Sequence, residues 1–183
     1  MTDTPAPPVT EDAPALYALL TRELPEGTAF ATLHIGGSHT TLASGQAGSQ
    51  PLLLRTLDLG ARVMSATRFA DEPPQPGELL AAAQDALDAF QTLRGRLAEG
   101  ASLYTADGGI RQIALAAGLE AQPQMQLPLD LLEQAFERLL ALPGADDSLP
   151  QPGPRQAATV AILRACMQAL GFQDITLRSD AVA

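Results

Sequence analysis

The sequence predicts an α/β fold in which one mixed sheet carries packed helices. The composition favours helices, because 33 Ala and 30 Leu stand against nine Ile and Val residues taken together. Three short strand-like segments joined by glycine-containing turns then give way to alternating helical and strand-like segments. An antiparallel meander followed by such an alternating tail is typical of a single layered α/β sheet. A length of 183 residues suits one domain with a sizeable core.

Helices are predicted where apolar residues recur every three to four positions and where Pro or Gly ends the pattern. The predicted helices cover residues 12–24, 80–97, 111–117, 129–142 and 155–170. Strands are predicted for short apolar segments between polar or glycine-containing turns. The predicted strands cover residues 30–35, 40–44, 51–59, 101–105 and 175–177.

The domain organisation is simple. Residues 1–10 contain three Pro and little to bury, so we expect a flexible leader there and a single domain over residues 11–183. The Pro- and Gly-rich segment 145–154 is predicted to be an exposed loop.

Charge and cysteine content exclude several classes of function. The formal net charge is −10, and all eleven basic residues are Arg. Such an acidic surface repels phosphate backbones and anionic lipids, so neither nucleic acid nor a membrane is expected as a partner. Cys166 is the only cysteine, which excludes an internal disulfide, and its place in an Ala- and Leu-rich helix predicts a buried, inert thiol. Neither a signal peptide nor a membrane span is evident, so we expect a soluble cytoplasmic protein.

Two glycine-containing turns are the candidate binding segments. Residues 34–41, His-Ile-Gly-Gly-Ser-His-Thr-Thr, join two predicted strands. Exposed backbone N–H groups in such a turn can hold a phosphate, although a glycine pair also serves simply to reverse the chain. Residues 107–109, Asp-Gly-Gly, lie between a predicted strand and a predicted helix, where an anion can meet helix N-terminal amides or where the chain merely turns.

Other side chains give weaker signals. His34 and His39 resemble half of a metal site, but zinc needs further ligands, and the spacing selects none of the candidates. Those candidates are Asp58, Asp107 and Cys166. We therefore predict no metal site from these residues. The arginines nearest the turn at Gly60 are either a local basic cluster or separate surface residues. They are Arg55, Arg62 and Arg68.

The order of these segments resembles that of the exopolyphosphatase/guanosine pentaphosphate phosphatase (Ppx/GppA) family. Residues 34–41 are similar to the family's Asp-Ile-Gly-Gly-Gly-Ser-Thr-Glu, and residues 56–63 to its Ser-Leu-Pro-Leu-Gly-Ala-Val-Arg. Residues 108–110 stand at the place of a Gly-Gly-Thr turn, residues 154–157 at that of a Pro-Glu-Arg-Ala helix start, and residues 11–13 at that of Glu-Glu-Ala. The resemblance extends from about residue 9 to the end of the chain.

The resemblance implies a fold and a set of site residues. The fold is a ribonuclease H-like lobe of the actin, Hsp70 and sugar-kinase type, and the chain has room only for the second of the family's two lobes. Asp12 lies in the segment similar to Glu-Glu-Ala, so the resemblance implies that it is the catalytic carboxylate that orients or deprotonates water. The residues implied to bind phosphate are Gly36, Gly37, Ser38, Thr40, Gly108 and Gly109.

The departures from the family pattern predict a loss of activity. His34 replaces an Asp that the family uses near metal and phosphate, Thr41 replaces a Glu, and Ile110 replaces a Thr. Phosphoanhydride hydrolysis needs a metal and a carboxylate that orients water, and Mg²⁺ binds imidazole poorly. We therefore expect a degenerate pseudoenzyme that acts as a binding or assembly module, through self-association or a protein partner, with phosphate or polyphosphate as a possible ligand. The alternative is a phosphohydrolase, requiring Mg²⁺, that completes its site with another subunit or lobe.

Overall fold

The computed structural model of the chain describes residues 12–141 and 152–179. Its strands are β1 (Ala29–Ile35), β2 (Thr40–Gln46), β3 (Leu53–Leu57), β4 (Ser102–Thr105), β5 (Gln124–Pro128) and β6 (Asp174–Arg178). Its helices are α1 (Ala13–Glu23), α2 (Ala61–Arg68), α3 (Pro76–Gln91), α4 (Gly108–Ala116), α5 (Leu129–Leu140) and α6 (Pro154–Leu170).

The strands form one mixed sheet in the order β3-β2-β1-β4-β6-β5. Strands β1, β2 and β3 are antiparallel neighbours, which confirms the predicted meander. Strand β4 runs parallel to both β1 and β6, and β5 closes the sheet antiparallel to β6. Because β1 and β4 are parallel and pair Leu33 with Thr105, their carboxyl ends lie side by side at one edge of the sheet.

Helix α6 forms the centre of the helical layer on one face of the sheet. Eleven of its 17 residues are buried, and five of these are Ala, whose small side chains let α2, α3, α4 and α5 pack around it. The predicted burial of Cys166 within this helix is confirmed. Burial in apolar surroundings raises the pKa of its thiol.

The opposite face of the sheet is covered by α1 over β1 and β2. Tyr17 of α1 stacks on Phe30 of β1 with ring centroids 4.5 Å apart, and Leu16 and Leu20 pack beside them. The Tyr17 hydroxyl donates to the backbone oxygens of Gln46, at the end of β2, and of Ser49, while desolvation raises its pKa. The fold therefore has two apolar layers, one on each side of the sheet.

Two elements of the structure, helix α2 and strand β5, were not predicted from the sequence. Helix α2 buries only Ala61 and Met64, so its eight residues show too little apolar periodicity to be recognised. Strand β5 alternates exposed Gln with buried Met125 and Leu127, and Gln has little strand preference of its own. In addition, α3 ends at Gln91, so the predicted helix that reached Leu97 was too long.

Some predictions concern residues that the structure does not describe. The leader over residues 1–10 and most of the loop over residues 145–154 lie outside the described ranges. Among the helices within those ranges, none has the length and apolarity needed to cross a bilayer.

Candidate functional site

A histidine and an aspartate meet where β1 and β4 end. His34 Nδ1 lies 2.6 Å from Asp107 Oδ1, and the other oxygen of this carboxyl group accepts the N–H of Ile35 at 2.7 Å. Asp107 is only 4% exposed. When Asp107 is ionised, its carboxylate can only accept, and the imidazole then donates from Nδ1. Asp107 therefore fixes both the orientation of the ring and the end of β1.

Thr105 strengthens the same edge of the sheet. Its buried hydroxyl donates to the Leu33 carbonyl oxygen at 2.9 Å and accepts the N–H of Asp107 at 3.2 Å. Asp107 is also the residue that precedes α4, and its carbonyl oxygen accepts the N–H of Arg111 at 3.0 Å. The start of α4 is thus anchored to the ends of both parallel strands.

The turn between β1 and β2 rests on the beginning of α2. Gly36 donates its N–H to the His39 carbonyl oxygen at 2.9 Å. The carbonyl oxygen of Gly36 accepts the N–H of Ala61 at 2.9 Å, and that of Gly37 accepts the N–H of Val63 at 3.0 Å. The first amides of α2 are therefore satisfied by the turn itself.

This contact requires a glycine at position 60. A Cβ atom on Gly60 would collide with the backbone of Ser38 and Gly37, and it would lie 2.5 Å from the Gly37 carbonyl carbon. The φ of Gly60 is −138°, which any residue adopts, so the requirement is for space alone. The backbone at Gly60 therefore packs directly against the backbone of Gly37 and Ser38, which leaves no room for a side chain at position 60.

The turn keeps several hydrogen-bond donors. Within the described part of the chain, the N–H groups of Gly37, Ser38 and His39 meet no acceptor. The Ser38 hydroxyl accepts a hydrogen bond from Arg62 Nη2 at 2.8 Å. The turn therefore offers consecutive backbone donors beside a guanidinium group, an arrangement suited to an anion.

A second arginine reaches the same turn from α6. A Cβ atom on Gly37 would lie 3.4 Å from Arg62 Nε and 3.8 Å from Arg155 Nη2, so both guanidinium groups flank one point above Gly37. Both arginines are exposed, and neither forms an ion pair with a carboxylate among residues 12–141 and 152–179. Arg155 carries only a weak signal in the sequence: it follows Pro154 at the start of a helix, within residues 154–157 that resemble the family's Pro-Glu-Arg-Ala segment.

The arginines around Gly60 do not form a cluster. Arg68 pairs with Asp85, and Arg55 Nη1 donates to the neighbouring Leu54 carbonyl oxygen at 3.0 Å. Arg62 is the member of the three that contacts the turn.

The residues predicted to bind phosphate fall into two groups. Gly37 and Ser38 lie at the turn with their N–H groups available, and Gly109 is exposed near the start of α4, next to Gly108. Thr40 is fully buried and donates its hydroxyl to the Leu59 carbonyl oxygen at 2.6 Å, while the N–H of Gly36 is taken by His39. For these last two residues the structure gives a role in shaping the turn, because their donors are already engaged.

The predicted catalytic residue Asp12 lies at the N-cap of α1 and is exposed. Thr32 donates its hydroxyl to the carbonyl oxygen of Ala13 at 2.7 Å, which holds the start of α1 against β1. His34 lies two residues further along β1 on the same face of the strand. Asp12 therefore lies near the sheet edge that carries His34 and Asp107.

The two histidines are not brought together. His34 pairs with Asp107, whereas His39 Nε2 lies 3.3 Å from Asp58 Oδ1 on the surface. In the ranges that the structure describes, no three His, Cys, Asp or Glu side chains are grouped as a metal site requires. Two of the three candidate residues thus contact one histidine each, Asp107 with His34 and Asp58 with His39.

The structure thus defines the protein as an α/β lobe with a glycine turn between β1 and β2. No family model and no curated protein matches the sequence. Solved structures do match the fold. A Ppx/GppA family member from Aquifex aeolicus superposes with a TM-score of 0.73 at 16% identity, over 94% of this chain and 58% of its own.

Two further structures agree with this match. A second Aquifex aeolicus PPX-GPPA enzyme structure gives a TM-score of 0.72 at 17% identity, covering 93% of this chain and 59% of that one. An exopolyphosphatase from Cytophaga hutchinsonii gives 0.63 at 12% identity, with 87% and 56% covered. The chain therefore spans less than two thirds of the length of these proteins. The predicted structural resemblance to Ppx/GppA proteins is confirmed as a likeness of fold, in which a mixed six-stranded sheet with packed helices matches part of those proteins.

Proposed function

We propose that this chain is a catalytically inactive, single-lobe relative of the Ppx/GppA phosphatases that acts as a phosphate-binding module. One observation carries the proposal: at the end of β1 an imidazole is held by a buried carboxylate, 2.6 Å from His34 Nδ1. The family resemblance implies an Asp at position 34, close to metal and phosphate. Here the acidic group is Asp107, which follows the neighbouring strand β4 and precedes α4.

The chemistry of hydrolysis supports this reading. Cleavage of a phosphoanhydride needs neutralisation of phosphate charge, commonly by Mg²⁺, and an oriented water molecule. Mg²⁺ prefers oxygen ligands, and His34 offers nitrogen. Both oxygens of Asp107 already hold the end of β1, through the imidazole and through the Ile35 N–H. The pair is therefore arranged to fix the sheet edge rather than to hold a hydrated cation.

The β1–β2 turn keeps the groups needed to bind a phosphoryl group. The backbone donors of Gly37 and Ser38 and the guanidinium group of Arg62 stand together at the surface. Such donors hold a phosphoryl group without any chemical step. We further propose that the module works in an assembly, by self-association or by contact with a protein partner.

The placement of Asp12 favours one competing function. Its position at the start of α1, near the edge that carries His34, is compatible with a carboxylate that activates water. In that case the chain would be a phosphohydrolase whose site is completed by another subunit, in the presence of Mg²⁺.

Phosphate release separates the two functions. The purified chain is incubated with polyphosphate or guanosine pentaphosphate and Mg²⁺, beside an active exopolyphosphatase as positive control. We expect no release above the protein-free blank. Release that is lost in Asp12→Ala, with the melting temperature of that variant unchanged, would overturn the proposal and establish the competing function.

A further inference from the structure

We propose that Arg62 and Arg155 form a two-guanidinium clamp over Gly37 that binds a doubly charged phosphoryl group without a divalent cation. The inference rests on the proposed function, because it concerns the same turn, and it names what replaces the metal there. The clamp joins α2, the β1–β2 turn and α6, three elements that are distant in sequence.

The guanidinium groups of Arg62 and Arg155 lie close to the same point next to Gly37. Arg62 Nε and Arg155 Nη2 would lie 3.4 and 3.8 Å from a Cβ atom on Gly37, and Arg62 Nη2 is held by the Ser38 hydroxyl at 2.8 Å. A Cβ atom at position 37 would also lie 3.4 Å from Arg62 Cβ, so a side chain there would contact both arginines. Gly37 therefore keeps its own side-chain atoms out of the space next to them.

Ion pairs with carboxylates are the exception among the arginines of this chain. Within the described ranges, three of the eleven arginines form one. These three pairs are Arg68 with Asp85, Arg164 with Glu133, and Arg178 with Glu23. Arg62 and Arg155 have no such partner within the described ranges, although they lie close to each other. Two like charges held together without a carboxylate are stabilised by an anion between them.

The ligand class follows from the donors. Guanidinium groups are planar, always charged, and able to donate pairs of hydrogen bonds to phosphate oxygens. The N–H groups of Gly37, Ser38 and His39 add neutral donors at the same turn. Two positive charges and neutral donors match a terminal phosphate dianion, of either an inorganic oligophosphate or a nucleoside polyphosphate.

The same donors predict how Mg²⁺ acts. A Mg²⁺ ion on the phosphate oxygens competes with the guanidinium groups for the same lone pairs and lowers the charge that attracts them. Binding is therefore as tight in EDTA as in Mg²⁺, or tighter. A site that used the cation as a bridge would show the reverse dependence.

Calorimetric titration of the full chain tests the clamp, with tripolyphosphate and guanosine tetraphosphate as probes, each in EDTA and in Mg²⁺. Arg62→Gln and Arg155→Gln each remove one charged donor, and we expect each to raise the Kd in EDTA by roughly tenfold or more. Arg68→Gln is the matched control, because it removes an α2 arginine that is paired with Asp85, and it should change the Kd less than about twofold. All three positions are exposed, and melting curves verify that the variants fold.

The outcomes are distinguishable. Binding of either probe in EDTA that is weakened by both clamp variants supports the inference, and the probe that binds more tightly identifies the source of the phosphoryl group. Binding that needs Mg²⁺, or that both clamp variants leave unchanged, overturns the clamp while the phosphate-binding module stands. Absence of binding in every arm overturns the clamp and phosphate binding together. Hydrolysis of a probe in the Mg²⁺ arm overturns the inactive module but leaves the clamp as the ground-state site.

Discussion

Replacing Gly60 with Ala should loosen the β1–β2 turn from α2. The new methyl group would meet the backbone carbonyl carbon of Gly37 at 2.5 Å and still closer atoms of Gly37 and Ser38. Real Cβ atoms do not approach backbone so closely, and backbone cannot swing aside as the end of a long side chain can. The turn or the start of α2 must therefore move.

The cost can be worked from two contributions. Overpacking against fixed neighbours costs typically about 1–3 kcal/mol. Moving the turn also weakens the hydrogen bonds from Ala61 N–H to Gly36 and from Val63 N–H to Gly37, which contribute roughly 1 kcal/mol each. Because the two contributions overlap, we expect a loss of about 2–4 kcal/mol in the free energy of unfolding. For a chain of this size, that corresponds to a fall in Tm of roughly 5–12 °C.

Thermal and urea denaturation followed by circular dichroism measure this loss, with Gly77→Ala as the control. A Cβ atom on Gly77, near the start of α3, meets nothing within 4 Å, so that variant should keep or slightly raise the stability. The Gly60 variant should also bind phosphate probes more weakly, since Arg62 moves with α2. A Gly60→Ala protein as stable as wild type would refute the close backbone contact on which the site geometry depends.

Three further perturbations probe other parts of the fold. Asp107→Ala leaves the Ile35 N–H without its buried acceptor and should cost about 2–4 kcal/mol in urea denaturation; a loss below about 1 kcal/mol would contradict the role of this carboxylate. The thiol of Cys166 should react with a disulfide reagent only as fast as the protein unfolds, because burial raises its pKa, and rapid labelling of the native protein would argue against that burial. The pKa of Glu78 is lowered, chiefly by the N–H of Ala70, so this carboxylate stabilises the fold above its ordinary value of 4.5. That stability is lost as the pH falls through the lower folded-state pKa, and a series of Tm values from pH 7 to 3 should lack this component in Glu78→Gln.

The meander and the main helices could be predicted because their signals are local. The glycine pair at positions 36 and 37 marks a turn by itself, and the apolar periodicity of α5 needs no tertiary information. Helix α2 and strand β5 could not be found in this way. Their few apolar residues are buried only because α2 packs against α6 and β5 pairs with β6, and a local pattern shows neither contact.

The site shows the same division between local and tertiary information. Both glycine turns were predicted, and Asp107 was among the possible partners of His34. What selects Asp107 is the parallel pairing of β1 with β4, which no local pattern records. Arg155 lay beyond prediction because its approach to Gly37 depends on the packing of α6 against α2 and β1.

The elements that carry the two clamp arginines are each held in place by tertiary contacts. Helix α6 buries eleven of its 17 residues, so Arg155 is an exposed side chain at the start of a well-packed helix. Helix α2 is fastened to the turn through the Gly60 contact and two backbone hydrogen bonds, so Arg62 keeps a fixed relation to Gly37. Side chains on rigid elements lose less conformational freedom when they bind, which favours affinity. His34 and Asp107, by contrast, hold each other at the end of β1. The fold therefore positions the two arginines at the turn before an anion binds, as a binding module requires.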